Sequence, residues 1–275
     1  MGRQGQQYLS SQVLTAWPVN NRIPFLHFRP RRHGRTPALI LLHGYGMCKE
    51  HLRLVATLCC WAGCSVMVPD LPLHGSRGPL GRSGADQLLL TMDLKNCSLL
   101  FRQAAADVVA CLDWLCARPE VDPRRLALVG FSLGGILTAL VLGMDGRPRA
   151  GVSLVGGGDL AGIIFSSPAA APLRARLEAL GYGPDQVREH LRDVNPLTYA
   201  DRVANLLMIN GERDRIVPPE AVLRFWSALD PSRDNRLVWG PWGHFLPPWP
   251  TFRQVLGHLR LHLEDGAAGE LPPGR

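Results

Sequence analysis

Six short apolar runs constrain this chain more than any other feature. They are PALILLHG (Pro37 to Gly44), CSVMVPD (Cys64 to Asp70), RLALVG (Arg125 to Gly130), AGVSLVGG (Ala150 to Gly157), NLLMING (Asn205 to Gly211) and RLVWG (Arg236 to Gly240). Each is rich in Val, Ile or Leu, closes on Gly or Asp, and lacks strict polar alternation, as strands covered on both faces do. Segments of helical length lie between them, at Cys48 to Ala62, Leu99 to Arg118, Ser132 to Met144, Pro219 to Leu229 and Phe252 to Leu263. Strand alternating with helix predicts an α/β fold, a mostly parallel central sheet flanked by helices. Two earlier stretches, Val13 to Val19 and Ile23 to Phe28, are read as an antiparallel start to that sheet.

One interval breaks the rhythm. Almost fifty residues separate the run ending at Gly157 from the run beginning at Asn205, far more than a single crossover helix requires. Its helical patches, APLRARLEALGYG (Ala171 to Gly183) and PDQVREHLRDV (Pro184 to Val194), predict a small helical cap inserted over residues 158–200. With 46% apolar and 19% charged residues among 275, the expectation is a single domain over 1–265, followed by a flexible tail, GAAGELPPGR, over 266–275.

The net charge of +7 comes almost wholly from scattered arginines, Lys49 and Lys95 being the only lysines. Without a basic stripe or an aromatic stacking platform, nucleic-acid binding is not expected. No run reaches the roughly 20 apolar residues of a membrane span, and MGRQGQQYLS lacks the apolar core of a signal peptide, so the expected location is cytoplasmic. Seven cysteines, without the paired spacing of a zinc site, read as buried thiols in a reducing compartment.

A serine hydroxyl is a poor nucleophile near neutral pH. Acyl transfer by serine needs a base, an acid to orient it, and donors for the oxyanion. Gly130, Ser132 and Gly134 match G-x-S-x-G between a strand and a helix, the setting in which a serine is held on a sharp turn. The amide of Leu133 is the expected first oxyanion donor, and that of Tyr45, in LLHGYG after an earlier strand, the second. His43 sits in that turn, before the serine, and reads as structural. After the next-to-last strand, GERDRIVPP offers Glu212 and Asp214, and Asp214, just before Ile216 and Val217 return to the core, is preferred. Of the later histidines, His258 and His262 fall within a helical pattern, whereas His244 in VWGPWGHFLPP lies on a loop directly after the last strand.

With these motifs in order, the chain resembles a serine hydrolase of the α/β-hydrolase superfamily from Pro37 to Leu263. The wording PDLPLHGSR (Pro69 to Arg77) is similar to small bacterial carboxylesterases and to the prolyl-oligopeptidase and dienelactone-hydrolase branches; His74 there reads as shaping the turn. The resemblance implies an α/β-hydrolase fold and a Ser132–His244–Asp214 triad. Ser132 would attack an acyl carbonyl, with the Leu133 and Tyr45 amides holding the oxyanion and no metal or cofactor required. The dehalogenase branch would need an aspartate at position 132, and dienelactone hydrolases typically carry cysteine there. The implied substrate is a small-molecule ester with a small to medium acyl group. A peptidase or thioesterase using the same triad and a non-catalytic ligand-binding member of the fold stand as alternatives. Leu160, Ile163, Ile164 and Phe165 in the cap, with Trp242 and Phe245 beside the histidine, are candidate pocket residues; ordinary core packing accounts for them equally well. Oligomeric state is not legible in the sequence.

Overall fold

A computed structural model describes residues 7–32, 34–78, 93–245 and 248–264. Among the described residues eight strands form one sheet: β1 (Gln7–Ser10), β2 (Arg22–Phe28), β3 (Thr36–Leu42), β4 (Ser65–Pro69), β5 (Val121–Phe131), β6 (Pro148–Leu154), β7 (Leu206–Gly211) and β8 (Arg236–Gly240). Their spatial order is β1-β2-β4-β3-β5-β6-β7-β8. The pairs β1–β2 and β2–β4 are antiparallel and all others parallel, so the sheet is mostly parallel as expected.

Two-sided burial explains why the strand sequences do not alternate. On β3, Ala38, Ile40 and Leu42 join a core with α2 (Leu94–Cys116) and α3 (Leu133–Met144). Leu39 and Leu41 point the other way, into a second core that includes Ala56 and Cys59 of α1 (Arg53–Trp61) and Leu259 and Leu263 of α8 (Pro248–Leu263). Both faces of one pleat therefore select apolar residues. The long crossover between β6 and β7 contains α4 (Leu160–Ser166), α5 (Ala171–Ala179) and α6 (Pro184–His190). Leu160, Ile164, Leu173, Leu177, Val187 and Leu191 close a separate apolar cluster against Leu94 and Cys97 of α2 and Ile136 of α3. After this crossover, β7 leads through α7 (Pro219–Ala228) to β8.

Three sequence expectations are corrected. Val13 to Val19 is not a strand; the first strand is the more polar Gln7–Ser10. The Asn21 side chain accepts from the Thr15 amide at 2.9 Å and donates to the Thr15 carbonyl at 3.2 Å, closing a loop that cannot extend. Helix α2 starts at Leu94 rather than Leu99, because Asp93 caps it by accepting from the Asn96 amide at 2.7 Å. The helix expected from Cys48 begins instead as a 3-10 turn over Lys49–Leu52. The tail predicted over 266–275 lies outside the described residues.

Burial also fixes the acid response of the fold. His27, His43 and His258 are buried, and desolvation lowers each imidazole pKa to about 4 from its ordinary 6.5. Between those values the unfolded chain binds protons that the folded chain does not. Stability therefore falls as pH drops through that window, by on the order of 3 kcal/mol per histidine at about pH 4. Three such groups together rival the whole stability of a typical domain. The thermal midpoint is expected to be flat just above neutrality and to fall steeply from about pH 6.5 to 4.5. An unchanged midpoint at the lower value would mean that these rings ionise freely in the fold.

Candidate active site

The site is assembled where β5 turns into α3. Ser132 adopts φ 54° and ψ −114°, a conformation that costs a non-glycine residue about 1–3 kcal/mol and persists only where the surroundings enforce it. Here the Ser132 amide donates to the Leu154 carbonyl at 2.8 Å, and its carbonyl accepts from the Ile136 amide at 3.0 Å. The bend lifts the side chain above the sheet edge at the head of a helix. Leu133 is the first residue of that helix, so its amide has no acceptor within the helix.

The neighbouring loop approaches this bend closely, and two glycines permit it. A Cβ on Gly134 would lie 2.2 Å from the Leu42 carbonyl oxygen, and one on Gly44 would lie 2.9 Å from the Phe131 ring. The Gly44–Tyr45 turn thus rests against the residue preceding Ser132. Gly134→Ala is expected to lower stability by about 3 kcal/mol or more, since backbone rather than a flexible side chain would have to yield. Thermal melting beside Gly146→Ala, at a position with nothing within 4 Å, provides the check.

His244 joins the serine to an acid. Its Nε2 lies 2.9 Å from Ser132 Oγ and its Nδ1 lies 2.8 Å from Asp214 Oδ2. The other oxygen of Asp214, Oδ1, accepts from the amides of Ile216 at 2.8 Å and Val217 at 3.0 Å, which fixes the carboxylate plane. The loops bearing acid and histidine are zipped together by Glu212 N–H donating to Gly240 at 2.8 Å and Arg213 N–H donating to Trp242 at 3.0 Å. Because His244 Nδ1 faces the Asp214 carboxylate, which only accepts, and Nε2 faces the Ser132 hydroxyl, the ring has one consistent tautomer: Nδ1 carries the proton, and Nε2 accepts from the hydroxyl. Ser132 and Asp214 are buried, whereas Glu212 is exposed.

The remaining histidines serve other contacts. His43 Nε2 accepts from the Leu71 amide at 3.0 Å, so its proton sits on Nδ1 and is given to the Gly44 carbonyl at 2.9 Å. His258 bonds the Asn205 carbonyl at 2.9 Å, and His262 lies 3.5 Å from Asp234. All seven cysteines are free, and burial raises the thiol pKa of Cys64 to about 11 and of Cys59 and Cys97 to about 12, which makes them poor nucleophiles.

Beside the serine lies a cavity of about 200 Å³. Leu133 and Tyr45 border it, together with α2, α3, α4 and the loop after β4. Of the six candidate pocket residues, Leu160, Ile163 and Ile164 line it and the others do not. Phe165 packs beside the helical cluster, Trp242 packs against the core on the opposite face, and Phe245 is exposed beside the His244 ring. The inner face of α2, with Cys97, Leu100, Phe101 and Ala104, is the part sequence reading missed; its apolar stripe reads equally well as plain core.

A buried ionic network carries the loop after β4. Lys49 Nζ pairs with Asp70 Oδ2 at 2.6 Å and donates to Ser76 Oγ at 2.9 Å, and the Lys49 amide donates to Asp70 Oδ1 at 2.8 Å. Arg77, fully buried, pairs with Asp107 of α2 at 2.7 Å and donates to the Asn20 carbonyl. These bonds hold His74 with its ring 5.4 Å from that of Tyr45. Among the described residues no helix is long and apolar enough to cross a membrane.

Comparison with known proteins agrees with this architecture. The chain is 23% identical to "Putative esterase YitV" of Bacillus subtilis, over 75% of its own length and 80% of that protein. It is 27% identical to Rv2627c of Mycobacterium tuberculosis over 90% of its own length, but spans 59% of that longer relative. Its fold superposes on an acetyl xylan esterase from Paenibacillus sp. R4 with a TM-score of 0.73 at 18% identity, covering 95% of this chain and 90% of that one. Residues 100–239, about half of the chain and including the Ser132 turn and Asp214, match the prolyl oligopeptidase family. The chain therefore belongs to the prolyl oligopeptidase family, among the serine hydrolases of the α/β-hydrolase superfamily.

Proposed function

We propose that the protein is a cytoplasmic carboxylesterase that cleaves small to medium acyl esters through Ser132, His244 and Asp214. The observation that carries this reading is the unbroken hydrogen-bonded line from Asp214 through His244 to Ser132, ending beside an apolar cavity. His244 Nε2 takes the proton of Ser132 as Oγ attacks the ester carbonyl, and Asp214 stabilises the imidazolium that forms. The amides of Leu133 and Tyr45 hold the oxyanion. His244 then gives its proton to the departing alcohol, leaving an acyl-enzyme that water cleaves by the same path in reverse order.

The cavity sets the scale of the acyl group. A cavity of about 150 Å³ lined by Leu, Ile and Phe accommodates benzene, so 200 Å³ corresponds to roughly eight non-hydrogen atoms. We read the helices of residues 158–200 as a cap over this chamber, since Leu160, Ile163, Ile164, Leu173 and Leu191 form its outer wall. Peptide hydrolysis is the second reading, favoured by the family match. Against it, none of the lining side chains among the described residues is Asp, Glu, Lys or Arg, so none of them offers a charge to receive a peptide terminus.

The test is turnover of p-nitrophenyl acetate, butyrate and octanoate beside an aminoacyl-amide panel, with fluorophosphonate labelling of the active serine. Serine-dependent release from the esters, with the butyrate or octanoate ahead of the acetate, is the expected outcome. Turnover of the amides alone would replace the esterase reading with the peptidase one.

A further inference from the structure

Helix α1 (Arg53–Trp61) is apolar on both of its sides. Helical spacing turns Ala56 and Cys59 inward, where both are buried in the core shared with β3 and β4. The opposite side, where a surface helix ordinarily carries charged or polar residues, holds Leu54, Leu58 and Trp61 at i, i+4 and i+7. Leu54 is 71% and Trp61 73% exposed, and Leu58 and Val55 beside them are exposed as well. Single apolar side chains on a surface need no explanation, whereas four within one nine-residue helix make a patch of the kind that marks an interaction surface. This patch is separate from the chamber beside Ser132, which none of its residues lines.

Arginines frame the patch. The connection from β2 to β3 reads RPRRHGR over residues 29–35, in which Arg31, Arg32 and Arg35 are exposed while Arg29 pairs with Glu120 at 2.9 Å. The guanidinium of Arg32 reaches the C-terminal end of α1: a Cβ on Gly63, two residues past Trp61, would lie 2.8 Å from its central carbon. Arg53 is exposed at the other end of the helix. Between Arg29 and Pro69 the sequence has one acid, Glu50, and its carboxylate pairs with Lys49 at 3.1 Å. Leucine and tryptophan side by side with arginine is the composition that suits the boundary between acyl chains and charged headgroups, where an indole ring is at home and a guanidinium meets phosphate. We propose that this face docks on the surface of an anionic lipid bilayer, with Leu54, Leu58 and Trp61 entering the headgroup boundary and Arg31, Arg32 and Arg53 meeting the lipid charge. A second copy of the chain fits less well, because pairing the face with itself would set two arginine-rich connections against each other on chains that each carry +7. The helix is already part of the folded domain, so docking orders no new segment.

Flotation with unilamellar vesicles tests this, comparing phosphatidylcholine alone with an equimolar mixture of phosphatidylcholine and phosphatidylserine. In low-salt buffer the partition coefficient on the charged vesicles is expected to exceed that on the neutral ones by about tenfold or more, and to fall as salt is added. Leu58→Ser combined with Trp61→Ser keeps every charge and is expected to lower binding to the charged vesicles by about tenfold or more. Arg31→Gln combined with Arg32→Gln is expected to lower it by about tenfold while leaving the neutral vesicles unchanged. Trp61→Phe should still bind, yet lose part of the tryptophan emission that brominated acyl chains quench in the unaltered protein. Equal partition on the two vesicle types, or none, overturns the proposal. So does binding that survives the serine pair, which would reduce it to the general attraction of a +7 chain, and so does quenching that Trp61→Phe leaves intact. A dimer in solution that the serine pair converts to monomer would overturn it too, assigning the face to a second copy. The substituted side chains are exposed, so the melting midpoints should match, and the comparison of the two vesicle types needs no variant at all.

Discussion

Ser132→Ala is expected to lower kcat on the preferred p-nitrophenyl ester by about 10⁵- to 10⁶-fold, the scale at which removing the nucleophile of a serine triad disables it. The effect arises in the chemical step alone. Alanine keeps the Leu133 amide at the head of α3 and leaves the cavity walls untouched, so KM for residual turnover should move by only a few-fold. It also keeps a Cβ at φ 54°, so the backbone strain is unchanged and the thermal midpoint should stay within a few degrees. The buried serine hydroxyl lost with it was bonded to His244, and the space it vacates admits a water at most. Fluorophosphonate labelling must vanish in the same variant. Labelling that persists would locate the reactive serine elsewhere, and Ser153, whose buried Oγ is unpartnered among the described residues one strand away, would be the first to replace.

How much of this was legible beforehand follows from where each signal resides. Strands buried on both faces write themselves as continuous apolar runs, so β3 to β8 and their parallel pairing could be read directly, though not their spatial order. The trio of Ser132, Asp214 and His244 was legible for a different reason: each stands just past the end of an apolar run, and chain order left few competitors. The antiparallel edge was legible in part: Ile23 to Phe28 reads as a strand and forms β2, whereas Val13 to Val19 reads as one and does not form it. Val13, Leu14 and Val19 have strand-like side chains, but the Asn21 side chain folding back on Thr15 and the Ser11 and Gln103 side chains donating to the Val13 carbonyl make that stretch a loop. The network of Lys49, Asp70, Arg77 and Asp107 was not legible, because its members come from three separate segments and acquire a common environment only through the fold. The pocket shows the same limit from the other side. Trp242 and Phe245 adjoin His244 in sequence, yet one packs on the far face of the sheet and the other faces solvent, because a loop turns its neighbours in different directions. Residues of α2 that do line the chamber are remote in sequence from every candidate site motif.

Asp214→Asn is expected to lower kcat by about 10⁴-fold with little change in fold, and the reason lies in the proton count on His244. Asp214 Oδ1 accepts two backbone amides, from Ile216 and Val217, while Oδ2 faces His244 Nδ1. An asparagine has one oxygen to offer, and the two amides, which can only donate, will claim it. Its NH₂ is then turned toward Nδ1 and must donate there. The imidazole is forced into the other tautomer, with its proton on Nε2, 2.9 Å from Ser132 Oγ. In that state Nε2 is a donor facing the hydroxyl and cannot take its proton, so general-base catalysis stops although every atom is in place. Two readouts separate this from simple disruption. The thermal midpoint should fall only slightly, since the loop amides keep their acceptor. The lost activity should return in part as pH rises, when hydroxide can take the proton that His244 no longer can. Asp214→Ala, by contrast, removes the acceptor of both loop amides and should lower stability as well as rate. Equal kcat in Asp214→Asn and the unaltered protein would remove the tautomer argument and with it the assignment of Asp214 as the residue that orients the base.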